Sequence, residues 1–332
     1  MLRSHHTPLQ SLSGTRAYRA VARLLIALLL VQLVPADTLR TVGAASAQST
    51  GAVLWVDRAG LCGGEVPCHR TIQSAIDAVE PGQTVRILPG EYVEQLVVRQ
   101  KNVAASSESA RIVVEADPRA PVGSVVLRGA RDRCEGGYAV DFDRSRFVTL
   151  RGLAISGAGA RGVILRGGSR QNVAIHLERN RIFRGATREC SGGLDVGRGN
   201  PDTVIANNLI HANGRYGIRF RDARGGSYLV VGNTIVRNGW SGIYITRSAR
   251  ARIFNNLIAF NGTAPGRNGG RHGVWRQRND PAEPQGVELR NNLVCGNRLG
   301  EIEGPVLDAG DADNRTPTGS EGQGTVASPA CD

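Results

Sequence analysis

Lysine is almost absent from this chain of 332 residues: Lys101 is the only one, against forty arginines. Any reaction that needs a catalytic lysine therefore has one candidate, which lies in a polar stretch of the sequence. The chain also lacks a C-x-x-C pair and clustered histidines, which disfavours a zinc site. It has no cluster of three or four Asp or Glu residues of the kind that binds calcium.

The N-terminal residues have the composition of an export signal. Residues 1–23 carry four arginines and no acid, and Leu24–Val34 is an apolar run of eleven residues. That run is too short to cross a bilayer, which takes about 20 apolar residues. We expect cleavage after Ala47, with Ala36 as the second choice and an uncleaved anchor as the alternative. No second apolar segment follows, so we expect a secreted or cell-surface protein with no membrane contact after cleavage.

The charge of the chain favours acidic partners. The formal net charge is +12, and it remains positive, at +8, without residues 1–47, which hold five arginines and one aspartate. Outside a cell, a positive surface suits uronate or sulfated polysaccharide, teichoic acid or extracellular DNA. Charge alone does not choose among these partners.

Six cysteines behind an export signal predict disulfides, although six allow fifteen connectivities. Pairing in sequence order gives Cys62 with Cys68, Cys134 with Cys190, and Cys295 with Cys331. The alternatives are a zinc site and buried free thiols.

A repeat of 23 to 36 residues is the strongest pattern in the sequence. Six copies of a short Asn-marked or Gly-marked unit are present: Arg151–Ile155, Arg179–Ile182, Asn207–Ile210, Gly232–Ile235, Asn255–Ile258 and Asn291–Val294. A second unit, Gly followed by alternating apolar residues, precedes or follows each copy: Gly137–Val140, Gly162–Leu165, Gly193–Val196, Gly217–Phe220, Gly242–Ile245 and Gly273–Arg276.

Each repeat contains three short strand-like segments, and none of them can enclose a core alone. Neighbouring repeats must therefore stack in parallel, with each strand bonded to its copies about 4.8 Å above and below. Asn tolerates the left-handed geometry of a tight corner. We expect Asn180, Asn208, Asn233 and Asn256 to stack at one corner and to bond one another's amides. A β-propeller needs longer repeats, and a leucine-rich repeat lacks the second strand.

This pattern resembles the repeat of the pectate-lyase-like superfamily over about residues 85–307. The resemblance implies an all-β right-handed parallel β-helix, and the segment Thr71–Tyr92 is similar to the N-terminal part of many secreted members. Its apolar residues Ile72, Ala75, Ile76 and Val79 share one face of a short helix, suited to cap the core. We therefore predict a signal peptide at 1–47, a β-helix domain with its cap at 48–307 and an irregular tail at 308–332.

Strand alternation divides the Gly-led strands into two faces. The predicted core side chains are Val163, Leu165, Leu194, Val196, Ile218, Phe220, Ile243 and Ile245. The outward side chains form two columns, Ala139, Ile164, Asp195, Arg219, Tyr244, Trp275 and, beside it, Asp141, Arg166, Gly197, Arg221, Thr246, Gln277. The resemblance implies that this outward face is a polysaccharide groove, bounded here by the long loop Asn261–His272.

An acidic glycan needs cations for its carboxylates and aromatic rings for its sugars. In β-elimination, a base removes the proton beside a carboxylate while a cation lowers that proton's pKa. We select as candidate catalytic residues Arg219, Asp195, Tyr244 and His272, and as candidate substrate-binding residues Arg166, Arg221, Trp275 and Asp141. Calcium is compatible with the resemblance, but the sequence shows no site for it.

Simpler interpretations of the same residues stay open. Asp195 with Arg219, and Asp141 with Arg166, are expected as surface ion pairs, which would leave Arg219 exposed. Trp275 and Tyr244 can form a small core under the long loop, and His272 can be an ordinary loop residue.

Three classes of function remain. The first is a polysaccharide lyase that acts on or binds an acidic uronate glycan, and the second is a non-catalytic carbohydrate-binding or structural β-helix. The third, a polygalacturonase-type hydrolase, requires neighbouring carboxylates, whereas Asp141 and Asp195 are expected two coils apart in different columns. We expect a monomer whose partner is an acidic polysaccharide and not a nucleic acid.

Overall fold

The computed structural model describes most of the chain after residue 51. The described residues are 52–129, 137–157, 159–184, 192–222, 225–246, 250–264, 270–277, 286–304, 307–308 and 331. The predicted signal peptide, the predicted Cys134–Cys190 pair and most of the predicted tail lie outside them. Within these ranges, no helix is long and apolar enough to cross a membrane.

The described residues contain twenty-seven strands and one α-helix. In the N-terminal half, the elements are β1 (Val53–Val56), β2 (Cys68–His69), α1 (Ile72–Ala78), β3 (Thr84–Ile87), β4 (Gly90–Val93), β5 (Leu96–Arg99), β6 (Ile112–Ala116), β7 (Val125–Arg128), β8 (Tyr138–Asp143), β9 (Arg146–Arg151), β10 (Ala154–Ser156), β11 (Arg161–Leu165), β12 (Val173–Glu178) and β13 (Arg181–Phe183). The C-terminal half contains β14 (Leu194–Val196), β15 (Thr203–Ala206), β16 (Leu209–His211), β17 (Ile218–Arg221), β18 (Ser227–Val231), β19 (Thr234–Val236), β20 (Ile243–Thr246), β21 (Arg250–Phe254), β22 (Leu257–Ala259), β23 (His272–Arg276), β24 (Val287–Arg290), β25 (Leu293–Cys295), β26 (Gly300–Glu303) and β27 (Leu307–Asp308). Single 3₁₀ turns lie at Cys62–Gly64, Glu108–Ala110 and Gly168–Arg170.

The strands form three parallel sheets wound into a right-handed β-helix, as the repeat predicts. Sheet A has eleven strands in the order β2-β1-β3-β6-β9-β12-β15-β18-β21-β24-β27. Sheet B has eight, from β4 through β7, β10, β13, β16, β19 and β22 to β25. Sheet C has the eight strands β5, β8, β11, β14, β17, β20, β23 and β26, which include the Gly-led strands. One coil, for example β20-β21-β22, contributes one strand to each sheet.

The core is a column of aliphatic side chains inside the coils. All eight predicted core residues of the Gly-led strands are at most 1% exposed. Aliphatic residues of sheets A and B, such as Ile205 and Ile235, complete the same cluster. One polar exception is Arg276, which pairs in register with the core residue Ile245 and is 1% exposed.

The predicted asparagine ladder is present at the corner between sheets A and B. The backbone N–H and the Nδ2 of Asn208 both donate to Oδ1 of Asn233, at 2.9 and 3.0 Å. The same two bonds join Asn180 to Asn208, Asn233 to Asn256 and Asn256 to Asn292. The left-handed residue at this corner is the one before each ladder asparagine, for example Asn207 with a φ of 56°.

A second ladder runs along the corner between sheets B and C. It contains Asn213, Asn238, Asn261 and Asn297, each five residues after an asparagine of the first ladder. The two ladders together provide hydrogen-bond partners for buried polar groups at the corners of several coils.

A disulfide bond lies at each end of the described β-helix. Helix α1 packs Ile72, Ala75 and Ile76 into the N-terminal end, as predicted. The Cys62–Cys68 disulfide lies beside it, with its two Cα atoms 5.8 Å apart. At the other end, Cys295 of the last sheet B strand is bonded to Cys331. Two of the three predicted pairs are therefore confirmed.

Candidate functional site

The outward side of sheet C carries most of the residues selected from the sequence. The register places Asp195 beside Arg219, Arg219 beside Tyr244 and Tyr244 beside Trp275 on successive strands. Arg221 pairs with Thr246 in the second column. We call this surface, formed by the outward side chains of β8, β11, β14, β17, β20 and β23, the arginine–aromatic face.

Asp195 is the centre of a buried charge cluster. Its side chain is only 1% exposed, and three guanidinium groups surround it. Arg161 and Arg219 bond its Oδ2 at 2.6 and 2.5 Å, and Arg221 lies 3.7 Å from Oδ1. The expected pair of Asp195 with Arg219 is present, but it is buried and not on the surface, because Arg161 from the coil below also covers the carboxylate. Arg219 is correspondingly 14% exposed, whereas Arg221 is 51% exposed.

Asp141 lies in a different column from the one expected. Asp141 on β8 pairs with Ile164 on β11, and Ile164 pairs with Asp195 on β14. Both aspartates therefore lie in the first column, two coils apart. The sequence alignment placed Gly137 opposite Gly162, but the register pairs Val140 with Val163. The register is therefore shifted by two residues from the alignment of the two glycines, along a strand β8 that runs from Tyr138 to Asp143.

Asp141 is also buried and paired, which corrects the second expected surface pair. Arg166 donates from Nε and Nη2 to the two carboxylate oxygens, both at 2.9 Å, and also bonds the hydroxyl of Tyr138. The hydrogen bonds that Arg166 donates to Asp141 raise the pKa of the guanidinium group above its ordinary value. The guanidinium group is therefore a permanent cation at this edge of the face.

A third aspartate was not selected from the sequence. Asp143, two residues after Asp141, is 1% exposed and lies within 3.8 Å of Arg99, Arg144 and Arg170. With it, seven guanidinium groups contact three carboxylates on and beside this face. The described part of the face thus carries more guanidinium groups than carboxylates, and each of its three aspartates is paired with at least one arginine.

The aromatic residues form a continuous stack along the axis of the β-helix. Tyr216 stacks on Tyr244, and Tyr244 on Trp275, each with ring centroids 4.6 Å apart. Gly270 lies so close to Trp275 that a Cβ atom there would be 2.1 Å from the indole ring. Because Tyr244 stacks on Trp275 and Gly270 also lies against the indole, Trp275 is less open than a free stacking platform.

Burial controls the protonation of these tyrosines. Burial raises the pKa of Tyr216 to about 12. Burial also raises the pKa of Tyr244, against the opposing effect of Arg219 and Arg215. Both hydroxyl groups are therefore protonated at neutral pH and can donate a hydrogen bond.

His272 begins β23 and flanks the aromatic stack. Burial lowers its pKa, against the opposing effect of Glu303 and Glu301. Among the described residues, its buried Nδ1 has no hydrogen-bond partner. The imidazole is neutral at neutral pH and lies beside Trp275, two coils from Arg219, which corresponds to about 10 Å.

Sequence reasoning missed the residues that precede the Gly-led strands. Arg161 and Tyr216, like His272, occupy the position immediately before Gly162, Gly217 and Gly273. The backbone bonds of neighbouring coils place them in one flanking column beside the face. The constant spacing to the glycine was visible in the sequence and could have identified them.

The described residues do not provide a calcium site. They contain no group of three or more His, Cys, Asp or Glu side chains that could hold a metal ion. The three aspartates near the face use their oxygens for arginines. The donor set therefore does not fit calcium, and no chemical step is assigned to a metal.

Comparisons with known proteins agree with the architecture. A family model described as "Right handed beta helix region" matches residues 133–313. No curated protein sequence matches the chain. Pectate lyase Pel9A is similar in structure, with a TM-score of 0.54 and 17% identity over 75% of this chain and 65% of that one.

Two further solved structures have a similar fold. The GH136 lacto-N-biosidase from Eubacterium ramulus has a TM-score of 0.53 and 13% identity, over 77% of this chain and 54% of that one. XylC in complex with xylose has a TM-score of 0.53 and 12% identity, over 77% and 64%. The chain spans less than two thirds of the length of all three proteins. At these identities the likeness shows the fold alone.

Proposed function

Because this chain belongs to the right-handed β-helix family, we propose that it is an exported protein that binds acidic, uronate-type glycans on its arginine–aromatic face. The observation that carries the proposal is the excess of arginine over aspartate on this face. A polymer with a carboxylate on each sugar supplies the missing negative charge. The structural neighbours include a protein named pectate lyase.

Arg221 and Arg166 are the cations best placed to contact the glycan. Arg221 is half exposed and only 3.7 Å from Asp195, so much of its guanidinium group remains available to a ligand. Arg166 is held in a fixed orientation by its two bonds to Asp141. Planar guanidinium groups held in this way bind carboxylates in a bidentate manner. Arg219 and Asp195 then serve to position the cations.

A second candidate function is lyase activity, and the state of His272 favours it. A neutral imidazole can accept the proton beside a uronate carboxylate, while a protonated Tyr244 can donate to the leaving oxygen. The two residues lie on neighbouring coils, about 4.8 Å apart along the axis. Hydrolysis by paired carboxylates is disfavoured, because Asp141 and Asp195 are both bound to arginines.

The experiment that tests both functions incubates purified protein with polygalacturonate, alginate and neutral dextran, with and without calcium. Binding is measured by affinity electrophoresis, and lyase activity by the ultraviolet absorbance of unsaturated uronides. We expect binding to the uronates and not to dextran. Arg221→Gln should weaken it, whereas Arg252→Gln, which removes one exposed arginine from sheet A, should not.

The outcomes separate the two candidates. Binding without new absorbance or new reducing ends supports the binding function and removes the lyase. Absorbance that disappears in both His272→Gln and Tyr244→Phe supports the lyase. Equal binding by the parent protein and Arg221→Gln contradicts the assignment of the glycan to this face.

A further inference from the structure

A separate cluster of cations lies on the outward side of sheet B. It consists of Arg181 on β13, Arg184 directly after β13, His211 on β16 and Arg237 directly after β19, and we call it the sheet B basic cluster. Phe183, His211 and Val236 pair in register, so the cluster extends over three successive coils. It is on a different sheet from the arginine–aromatic face.

The arginines of this cluster have no acidic partner in the described part of the chain. Among the described residues, Arg181, Arg184 and Arg237 form no ion pair. Ion pairs are present on sheets A and C, and sheet B has the pair Arg128–Glu91. All three side chains are exposed. This is the reverse of the situation around Asp195, where each guanidinium group contacts a carboxylate. An unneutralised set of three cations on a rigid surface is an arrangement that binds anions.

The local packing holds two members of the cluster in place. The ring of His211 stacks on Phe183 with the two planes 2° apart, and the Arg181 guanidinium lies 4.3 Å from the Phe183 ring centroid on that ring. Arg181 Nε donates to Nε2 of His211 at 3.0 Å. Burial has the largest effect on the pKa of His211 and lowers it, and the positive charges of Arg181, Arg184 and Arg237 lower it further. The imidazole therefore accepts the bond from Arg181 as a neutral ring.

Arg184 and Arg237 occupy their positions at a conformational cost. Their φ angles are 50° and 55°, in the left-handed region where glycine and asparagine are favoured and long side chains are rare. They lie at the same corner, with Ala212 between them, so their Cα atoms are two coils or about 10 Å apart. Two exposed arginines with similar backbone conformations at this spacing can each reach one charged group of an extended polymer.

We propose that the sheet B basic cluster is a second binding site for an anionic polysaccharide, which contacts Arg181, Arg184 and Arg237 with its carboxylate or sulfate groups. A nucleic acid is less suited, because bases stack on exposed aromatic faces, and Phe183 is already in contact with Arg181 and His211. An anionic membrane is less suited, because insertion needs several large apolar side chains, and of the described residues that pair in register with the cluster Leu209 alone is an exposed large apolar one. With the arginine–aromatic face on sheet C, the chain would hold two polymer strands at once.

The left-handed geometry provides a variant that keeps the fold. Asn fits a positive φ better than Arg, so Arg184→Asn with Arg237→Asn removes two charges while retaining or raising the unfolding temperature. The matched control is Arg250→Asn with Arg252→Asn, which removes two exposed arginines from sheet A. The probes are dextran sulfate, neutral dextran of the same length, a DNA duplex and vesicles with an anionic lipid.

We expect the parent protein to bind dextran sulfate and not dextran, and the Arg184/Arg237 variant to bind about tenfold more weakly, because two charge-assisted contacts are lost. The sheet A control should bind as the parent does. Bound dextran sulfate should also raise the pKa of His211, seen by NMR, because it offsets the positive potential of the three arginines.

Three results would overturn the proposal. The first is unchanged binding of dextran sulfate by the Arg184/Arg237 variant, and the second is an equal loss of dextran sulfate binding in this variant and in the sheet A control. The third is a loss of DNA or vesicle binding, but not of dextran sulfate binding, that is specific to the Arg184/Arg237 variant. The same binding assays are carried out on Arg221→Gln, which tests the function proposed for sheet C. The results for the two sheets can therefore be interpreted separately. A protein that loses only the sheet B interaction still binds polygalacturonate through the other face.

Discussion

A Cβ atom placed on Gly217 would lie 2.9 Å from Nδ2 of Asn238, the ladder asparagine of the next coil. The absence of a side chain at Gly217 therefore creates the space that the carboxamide occupies. The same relation joins Gly193 to Asn213, Gly242 to Asn261 and Gly273 to Asn297. The glycine that begins each strand and the second asparagine ladder are two parts of one packing arrangement.

Gly217→Ala should consequently destabilise the fold through crowding. The new methyl group would also lie 2.5 Å from Ile235 and 2.6 Å from the carbonyl oxygen of Gly242. We expect the free energy of unfolding to fall by about 2–3 kcal/mol, as for an overpacked core. Gly225→Ala, which meets open space at a φ of 72°, should cost about 1 kcal/mol of backbone strain. Chemical denaturation compares the two, and an equal cost for both would refute the packing relation.

The two asparagines of one corner should respond in opposite ways to substitution. Asn208→Ala removes the acceptor of Asn180 N–H and the donor to the Leu177 carbonyl, all buried, at a cost of about 2–4 kcal/mol. Asn207→Gly should be neutral or slightly stabilising, because Asn207 is exposed and has a φ of 56°. Thermal unfolding of both variants checks this, and a larger loss for Asn207→Gly would contradict the ladder.

Arg219→Ala should reduce stability as well as any ligand binding. The residue is mostly buried against Asp195, whose carboxylate would keep Arg161 and Arg221 but lose its shortest bond. We expect a loss of about 2 kcal/mol, below that of a buried pair with no remaining partner. Arg221→Ala should stay within about 0.5 kcal/mol of the parent. Denaturant midpoints that are the same for both variants would show that the buried cluster does not stabilise the fold.

The lowered pKa of His272 predicts a pH dependence of stability. In the unfolded chain the imidazole takes up a proton as the pH falls through its ordinary pKa of 6.5, whereas in the folded chain it stays neutral to a lower pH. Protonation therefore favours the unfolded state, and stability decreases below about pH 6.5. His272→Gln removes this contribution. The difference in unfolding temperature, parent minus variant, should therefore decrease as the pH is lowered from 7.5 to 5. A constant difference would contradict the assignment.

The fold was predictable from the sequence because its two strongest constraints repeat at regular positions. Gly217 and Gly242 mark the start of strands, and Asn208 and Asn233 mark a corner, since both kinds of position tolerate few other residues. Helix α1 was equally clear from the apolar face of Ile72, Ala75 and Ile76. These features depend on local sequence and on contacts with the next coil.

The candidate site was less predictable because it depends on register and on side chains from several coils. A shift of two residues in β8 moved Asp141 into the column of Asp195. Burial of Asp195 required Arg161, which comes from the preceding coil and stands outside the two columns considered. The second ladder was overlooked although Asn213 follows Asn208 by the same five residues as Asn238 follows Asn233.

The two observed disulfides lie where the stack is weakest. A coil in the middle of the β-helix is bonded on both sides, whereas a terminal coil has a neighbour on one side only and is the first to fray. Cys62–Cys68 and Cys295–Cys331 close loops at the two ends, so reduction should leave the central coils around Ile218 and Ile243 intact and accelerate amide hydrogen exchange from both ends inward. These two disulfides would thus make the stability of the terminal coils sensitive to reduction.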